Sequence, residues 1–322
     1  MRGSSRWLGR PLGVFFALAL LVGAAWSPGL ASASSLPVWM GSFGGKGIGA
    51  GQFSGPTGVG ADQFNDVYVA DTSNSRIEKF DPTGHVLRVW GVLGAANGQF
   101  NYPVGVGVDR LNSWVYVTDT YNNRIQKFDL NGNYLSQFGS FGSGPGQVIY
   151  PLGVAVDGLG NVYVVDSFNN RVEEFSPSGA YVTSWGSFGS GPAQFNEPVG
   201  VALDGLNNVY VSDLSNARIE KFDHYGNFLT QWGSAGKANG QFNHPWGIAA
   251  SNGNILVVDS NNNRVEAFDQ RGTFLYKWSS FGGSVGQVPF NSPTAIAVGP
   301  LGYLYVVDTG NSLVDEWANP PS

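Results

Sequence analysis

One fifteen-residue phrase is written six times into this chain. It reads VYVADTSNSRIEKFD from Val67, VYVTDTYNNRIQKFD from Val115, VYVVDSFNNRVEEFS from Val162, VYVSDLSNARIEKFD from Val209, ILVVDSNNNRVEAFD from Ile255 and LYVVDTGNSLVDEWA from Leu304. The aspartates in fifth place (Asp71, Asp119, Asp166, Asp213, Asp259 and Asp308) stand 46 to 49 residues apart. A period of that size predicts supersecondary units that bury their apolar faces only against one another, in a solenoid, propeller or array. The copies cover nearly everything after residue 36 with no linker, so one closed domain over residues 34–322 is expected despite a length that would suit two.

Residues 103–142 show what one unit contains. A small-residue run, Gly105-Val106-Gly107-Val108, is followed by the β-forming Trp114-Val115-Tyr116-Val117. The polar Asp119-Thr120-Tyr121-Asn122-Asn123 leads into Arg124-Ile125-Gln126-Lys127-Phe128. A turn at Asp129-Leu130-Asn131-Gly132 precedes Tyr134-Leu135-Ser136-Gln137-Phe138. These are four short strands, a to d, with turn signals between them.

Four antiparallel strands repeated around an axis predict a six-bladed, all-β propeller. The first strands are small (Gly58-Val59-Gly60, Gly153-Val154-Ala155), as a crowded axial channel requires, and the fourth carry bulk: Trp90, Phe138, Trp185, Trp232 and Trp278. The sixth copy stops after Trp317 without a fourth strand. Val38-Trp39-Met40-Gly41-Ser42-Phe43 matches the missing one, so residues 38–43 are expected to complete the last blade and remove the open sheet edges.

The pattern Pro-x-Gly-Val-Ala-Val-Asp, then Val-Tyr-Val-x-Asp-x-x-Asn-x-Arg-Ile-x-x-Phe, resembles the NHL repeat across essentially all of residues 36–318. The resemblance implies the propeller and leaves the activity open. NHL propellers occur in ubiquitin ligases, RNA-binding regulators and extracellular interaction domains, and some six-bladed relatives are metal-dependent lyases or hydrolases.

Composition narrows these options. Residues 1–33 combine Arg2, Arg6 and Arg10, an apolar run from Leu12 to Trp26 and the small-x-small Ala31-Ser32-Ala33. That is a secretory signal pattern, and it predicts a secreted or periplasmic protein cleaved after Ala33. Removing three arginines leaves 14 basic against 23 acidic residues, a net charge of −9, which disfavours nucleic acid as a partner. No stable membrane insertion is expected, and the chain reads as a monomer. There is no cysteine, so thiolate metal sites, a thiol nucleophile and the cysteine-rich domain of the ligases are all absent. With three histidines, two of them in c–d turns, no three-histidine zinc site can be assembled. No Gly-x-Ser-x-Gly nucleophile motif occurs. No cofactor is expected; a single calcium ion on axial backbone carbonyls is the one metal left open.

Comparing the copies separates architecture from function. Arg76, Arg124, Arg171, Arg218 and Arg264 each follow the blade aspartate by five residues (Asp71, Asp119, Asp166, Asp213, Asp259), whereas the sixth copy has Leu313. Five equivalent pairs read as structure rather than as five anion sites. The d→a connections vary where they flank the proline. Tyr102, Tyr150, Glu197, His244 and Trp246 are expected to form an arc at the channel mouth, extended by Tyr121 and Phe168 from the b–c turns. Tyr and Trp carry much of the binding energy at interfaces. The sequence therefore predicts a binding module for a protein, peptide or glycan. The alternatives are a lyase or hydrolase using Glu197 and His244 as an acid/base pair, and a structural envelope component.

Overall fold

Each Val-, Ile- and Tyr-rich run of the repeat becomes the second strand of a four-stranded antiparallel sheet. Such a run is apolar on both faces because both pack against neighbouring blades; Val67–Asp71 and Val162–Asp166 are buried at every position. The computed structural model describes residues 36–279 and 287–318. The leader predicted over residues 1–33 lies outside the described residues.

Six sheets form six blades, each ordered a-b-c-d from the channel outward. Blades one to five span residues 58–90, 103–138, 151–185, 198–232 and 245–278. Blade two consists of Pro103–Asp109, Trp114–Asp119, Arg124–Asp129 and Tyr134–Phe138. Among the described residues the only helical elements are single 3₁₀ turns at b–c connections, such as Thr120–Asn122, and none is long and apolar enough to cross a membrane.

The N-terminal strand Val38–Gly44 pairs antiparallel with Leu313–Ala318 and supplies strand d of blade six. Its bulk faces both neighbours. Trp39 packs on the core between blades five and six, and Phe43 lies 4.6 Å from Phe80 of blade one. Hydrogen bonds also close the ring, among them Thr309 Oγ1 to the Pro56 carbonyl at 2.8 Å, Thr294 Oγ1 to the Thr57 carbonyl at 3.1 Å and Asn65 Nδ2 to the Tyr305 hydroxyl at 2.5 Å.

The cores lie between blades. Tyr68 and Trp90 of blade one share a cluster with Val106, Val115 and Phe128 of blade two. Glycine at c–d turns permits this approach: a Cβ on Gly226 (φ +82°) would meet the Trp185 ring of the preceding blade at 2.7 Å.

Blade six departs from the repeat at its incoming connection. In the earlier copies the loop glutamine directly precedes the core residue, as Gln52 does Phe53, and its Oε1 accepts from a loop N–H, Gly49 N at 3.1 Å. Gln287 is separated from the buried Phe290 by two residues, so it is not the counterpart of Gln52, and Asn311 Nδ2 donates instead to the Pro289 carbonyl at 2.7 Å.

Candidate functional site

The d→a and b→c connections emerge at one end of the channel, and a shared hydrogen-bond scheme fixes them. The blade aspartate accepts on Oδ1 from a backbone N–H of the incoming loop: Ser54 to Asp71, Asn101 to Asp119, Ile149 to Asp166 and Asn196 to Asp213, all at 2.7–2.8 Å, with Asn243 to Asp259 and Asn291 to Asp308 alike. Its Oδ2 accepts from the turn asparagine and, in five blades, from the arginine Nε. The Arg–Asp distances are 2.8 Å for Arg76–Asp71, 2.7 Å for Arg124–Asp119, 2.8 Å for Arg171–Asp166, 2.9 Å for Arg218–Asp213 and 2.7 Å for Arg264–Asp259. Each guanidinium also donates to carbonyls of the same loop; Arg218 reaches Ser190, Gly191 and Gln194. Each of these arginines is thus held by the aspartate and the incoming loop of its own blade.

The scaffold holds the residue before each proline in a left-handed conformation. The φ values are +55° at Gly55, +63° at Tyr102, +60° at Tyr150, +56° at Glu197, +63° at His244 and +49° at Ser292. A bulky side chain rarely adopts this conformation, and proline steers its predecessor toward extended backbone. Local strain of this kind gathers at functional sites.

A second regularity emerges from the contacts. The pre-proline side chain of a blade meets the second residue of that blade's b–c turn. Tyr102 stacks on Tyr121, with centroids 4.6 Å apart and planes 7° from parallel. Tyr150 meets Phe168 at 4.9 Å. Glu197 Oε2 accepts from Ser215 Oγ at 2.5 Å, and His244 Nδ1 pairs with Asn261 Nδ2 at 2.7 Å. Gly55 and Ser73, Ser292 and Gly310 hold the same two places in blades one and six with little side chain to offer. Between blades, Tyr121 lies 5.1 Å from Tyr150. Tyr102, Tyr121, Tyr150 and Phe168 therefore form one unbroken run of rings.

The mouth thus has an aromatic half on blades two and three and a polar half on blades four and five. Tyr121 and Phe168 are exposed, as are Glu197 and His244; Tyr102 and Tyr150 are half-buried. Burial and the neighbouring Tyr121 push the Tyr150 hydroxyl up to about 12 and raise Tyr102, so both remain neutral donors. Trp246 stands apart from this outer ring. It is half-buried in the channel throat with Thr57, Leu152 and Val199, around a space of about 80 Å³, and its carbonyl accepts from Ser212 Oγ at 2.6 Å. Among the described residues no three His, Asp or Glu side chains converge as a metal site. The pairing of pre-proline and turn positions was not predicted from sequence, although the residues at both places differ from copy to copy.

Such a surface can stack flat or apolar groups along the rings and bond hydroxyl or amide groups through Glu197 and His244. The NHL repeat model matches residues 53–80, 195–222 and 242–268, and the SMP-30/gluconolactonase/LRE-like region matches residues 92–187. None of the curated proteins matches the sequence. Among solved structures, the chain is similar to a gluconolactonase of Xanthomonas campestris (14% identity over 90% of this chain and 99% of that one, TM-score 0.65). It is also similar to virginiamycin B lyase from Staphylococcus aureus (13% identity, 82% and 95% covered, TM-score 0.59) and to a chain of a nidogen/laminin complex (17% identity, 78% and 88% covered, TM-score 0.57). At these identities the likeness is one of fold. With NHL repeats matched in three stretches and six four-stranded blades closed by the N-terminal strand, the chain is a six-bladed β-propeller that carries NHL repeats.

Proposed function

We propose that this propeller is an exported binding module that holds a protein, peptide or glycan on the face bearing the b–c and d–a connections. The unbroken ring run Tyr102–Tyr121–Tyr150–Phe168 carries the reading. Fixed aromatic side chains lose little conformational freedom on binding and offer large contact area. The polar half beside them, Glu197 and His244, supplies an acceptor and an imidazole for orienting a ligand. The same propeller architecture occurs in a chain of a nidogen/laminin complex, a setting of protein recognition.

The test is ligand capture on glycan and peptide arrays with the wild-type protein and Tyr121→Ala and Phe168→Ala variants. Tyr121 touches two rings, so its loss should weaken capture about tenfold or more. Capture that is unchanged in both variants removes the ring run as the site.

The SMP-30/gluconolactonase-like match over residues 92–187 favours a second reading, a lyase or hydrolase working on the same face through Glu197 and His244. It requires turnover that disappears in His244→Ala, with ligand capture retained.

A further inference from the structure

Inside the rim of the mouth the channel narrows to a small apolar throat. Pro103, Pro151, Pro198 and Pro245 each separate a rim residue from a throat residue: Tyr102 from Val104, Tyr150 from Leu152, Glu197 from Val199 and His244 from Trp246. Thr57 and Thr294 complete the circle from blades one and six. The ring run and the Glu197–His244 pair thus border the throat from opposite halves.

The strands themselves keep the throat narrow. Glycine follows every throat residue except Thr294. A Cβ on Gly153 would meet the Val199 carbonyl of the next blade at 2.5 Å, and one on Gly247 the Thr294 carbonyl at 2.6 Å. The innermost strands therefore stand at a separation that only glycine allows. The polar groups of the throat are turned into the ring. Thr57 Oγ1 bonds Thr72 Oγ1 at 2.5 Å and Thr294 Oγ1 bonds Thr309 Oγ1 at 2.7 Å. The carbonyls of Leu152 and Trp246 accept from Thr118 Oγ1 at 2.8 Å and Ser212 Oγ at 2.6 Å. What remains to border the space is the Val104, Leu152 and Val199 side chains, the Trp246 indole and the threonine methyl groups.

We propose that the ligand of the mouth is an extended peptide and that one of its aliphatic side chains, the size of valine, leucine or isoleucine, seats in this throat. The inference rests on the mouth being a binding face and adds the chemical class of what it binds. The space is about 80 Å³, whereas a benzene ring takes a cavity of about 150 Å³. An aromatic side chain is therefore too large for the throat. A sugar ring is no smaller, and its hydroxyls would go unbonded against an apolar wall. An aliphatic side chain meets both limits and gains by leaving water. The backbone of the peptide then stays at the rim. There Glu197 Oε1 and His244 Nε2, the atoms not used in the bonds to Ser215 and Asn261, face its polar groups, while residues flanking the seated one lie along the Tyr102–Phe168 run.

Substitution-scanned peptide arrays, run beside a glycan array with the full chain, test this. Among captured peptides, one position should prefer Val, Leu or Ile over Ala by about tenfold or more. Trp246→Ala and Leu152→Ala each enlarge the throat, and each should move that preference toward Met or Phe. Tyr121→Ala should weaken capture without changing the preferred residue. A preference among peptides, unlike total capture, is not altered by a loss of folded protein. Peptide capture with no aliphatic preference, or with a preference that neither throat variant moves, overturns the proposal and leaves the ring run standing. Capture of glycans alone does the same. No capture of peptide or glycan by the wild-type protein removes the binding face and the seat together.

Discussion

Asp308 faces Leu313 across strands b and c of blade six, at the register position where Asp71 faces Arg76, Asp119 faces Arg124 and Asp213 faces Arg218. The guanidinium that neutralises this position elsewhere is missing, yet the carboxyl groups remain. Asp308 is fully buried and Asp315, two residues beyond Leu313, is 1% exposed with neither carboxyl oxygen hydrogen-bonded. Burial pushes Asp308 up to about 6; burial and the neighbouring Asp308 push Asp315 up to about 7.

Stability should therefore fall as pH rises from about 4 through 7. Both folded-state values lie above the ordinary aspartate value of 3.8, so the native state binds more protons than the unfolded state between about pH 4 and 7. The contribution is fully present below pH 4 and is lost as pH rises through 6 and 7. Leu313→Arg should restore the missing partner, raise stability at pH 8 by roughly 2 kcal/mol and flatten the slope between pH 5 and 8. Urea denaturation of both proteins across that range measures it; parallel slopes would refute the assignment.

The blade count, the four strands and the closing strand near residues 38–43 were legible because each leaves a period or a gap in the sequence. Residues that serve packing repeat, and the six copies act as their own controls. The site was legible only as a set of deviations. Sequence placed Tyr102, Tyr121, Tyr150 and Phe168 near one mouth, but their contact depends on the left-handed φ before each proline, which no residue pattern announced. It also grouped Trp246 with the outer arc, whereas standing after the proline places this residue in strand a, in the throat. Gly286-Gln287 repeats the Gly-Gln of the earlier copies, yet Val288 and Pro289 separate it from the core residue Phe290, so the motif is present in the sequence with its frame shifted.

The reverse experiment lies in blade four. Arg218 Nε bonds Asp213 at 2.9 Å and its Nη2 lies 2.5 Å from Glu220, both carboxylates being buried. Arg218→Leu reproduces the blade-six arrangement without blade six's adjustments and leaves two buried carboxylates uncompensated, a cost of about 3–5 kcal/mol. Burial pushes Glu220 up to about 7, so protonation should recover part of the loss at pH 5. Denaturation at pH 5 and pH 8 checks both statements; an equal loss at the two pH values would count against the role given to Glu220.

The N-terminal strand adds one aromatic ring to the core between blades six and one. Phe43 is the one ring of the N-terminal strand that reaches blade one, 4.6 Å from Phe80, and a Cβ on Gly84 would meet it at 2.9 Å. Phe43→Ala should cost about 2–4 kcal/mol. Loss of this contact should also loosen the strand from Leu313–Ala318, so hydrogen exchange should accelerate there before it does in blades three and four. Uniform acceleration around the ring would show that closure is no weaker than any other blade junction.

The mouth residues carry a conformational cost that can be measured without knowing the ligand. Glu197 sits at φ +56°, and blade one fills the equivalent place with Gly55 at φ +55°. Glu197→Gly and Glu197→Ala both delete the bond from Ser215 Oγ, so the difference between them isolates the backbone. Left-handed φ costs an L-residue roughly 1–2 kcal/mol, and glycine loses about 0.5–1 kcal/mol more in unfolded-chain entropy than alanine. The glycine variant should therefore be the more stable of the two by up to about 1 kcal/mol, read from paired thermal or urea unfolding. Both variants should lose whatever orientation Glu197 gives the ligand. If alanine proves the more stable, the left-handed geometry stores no strain, and the backbone argument that marks the pre-proline ring as a functional site falls with it.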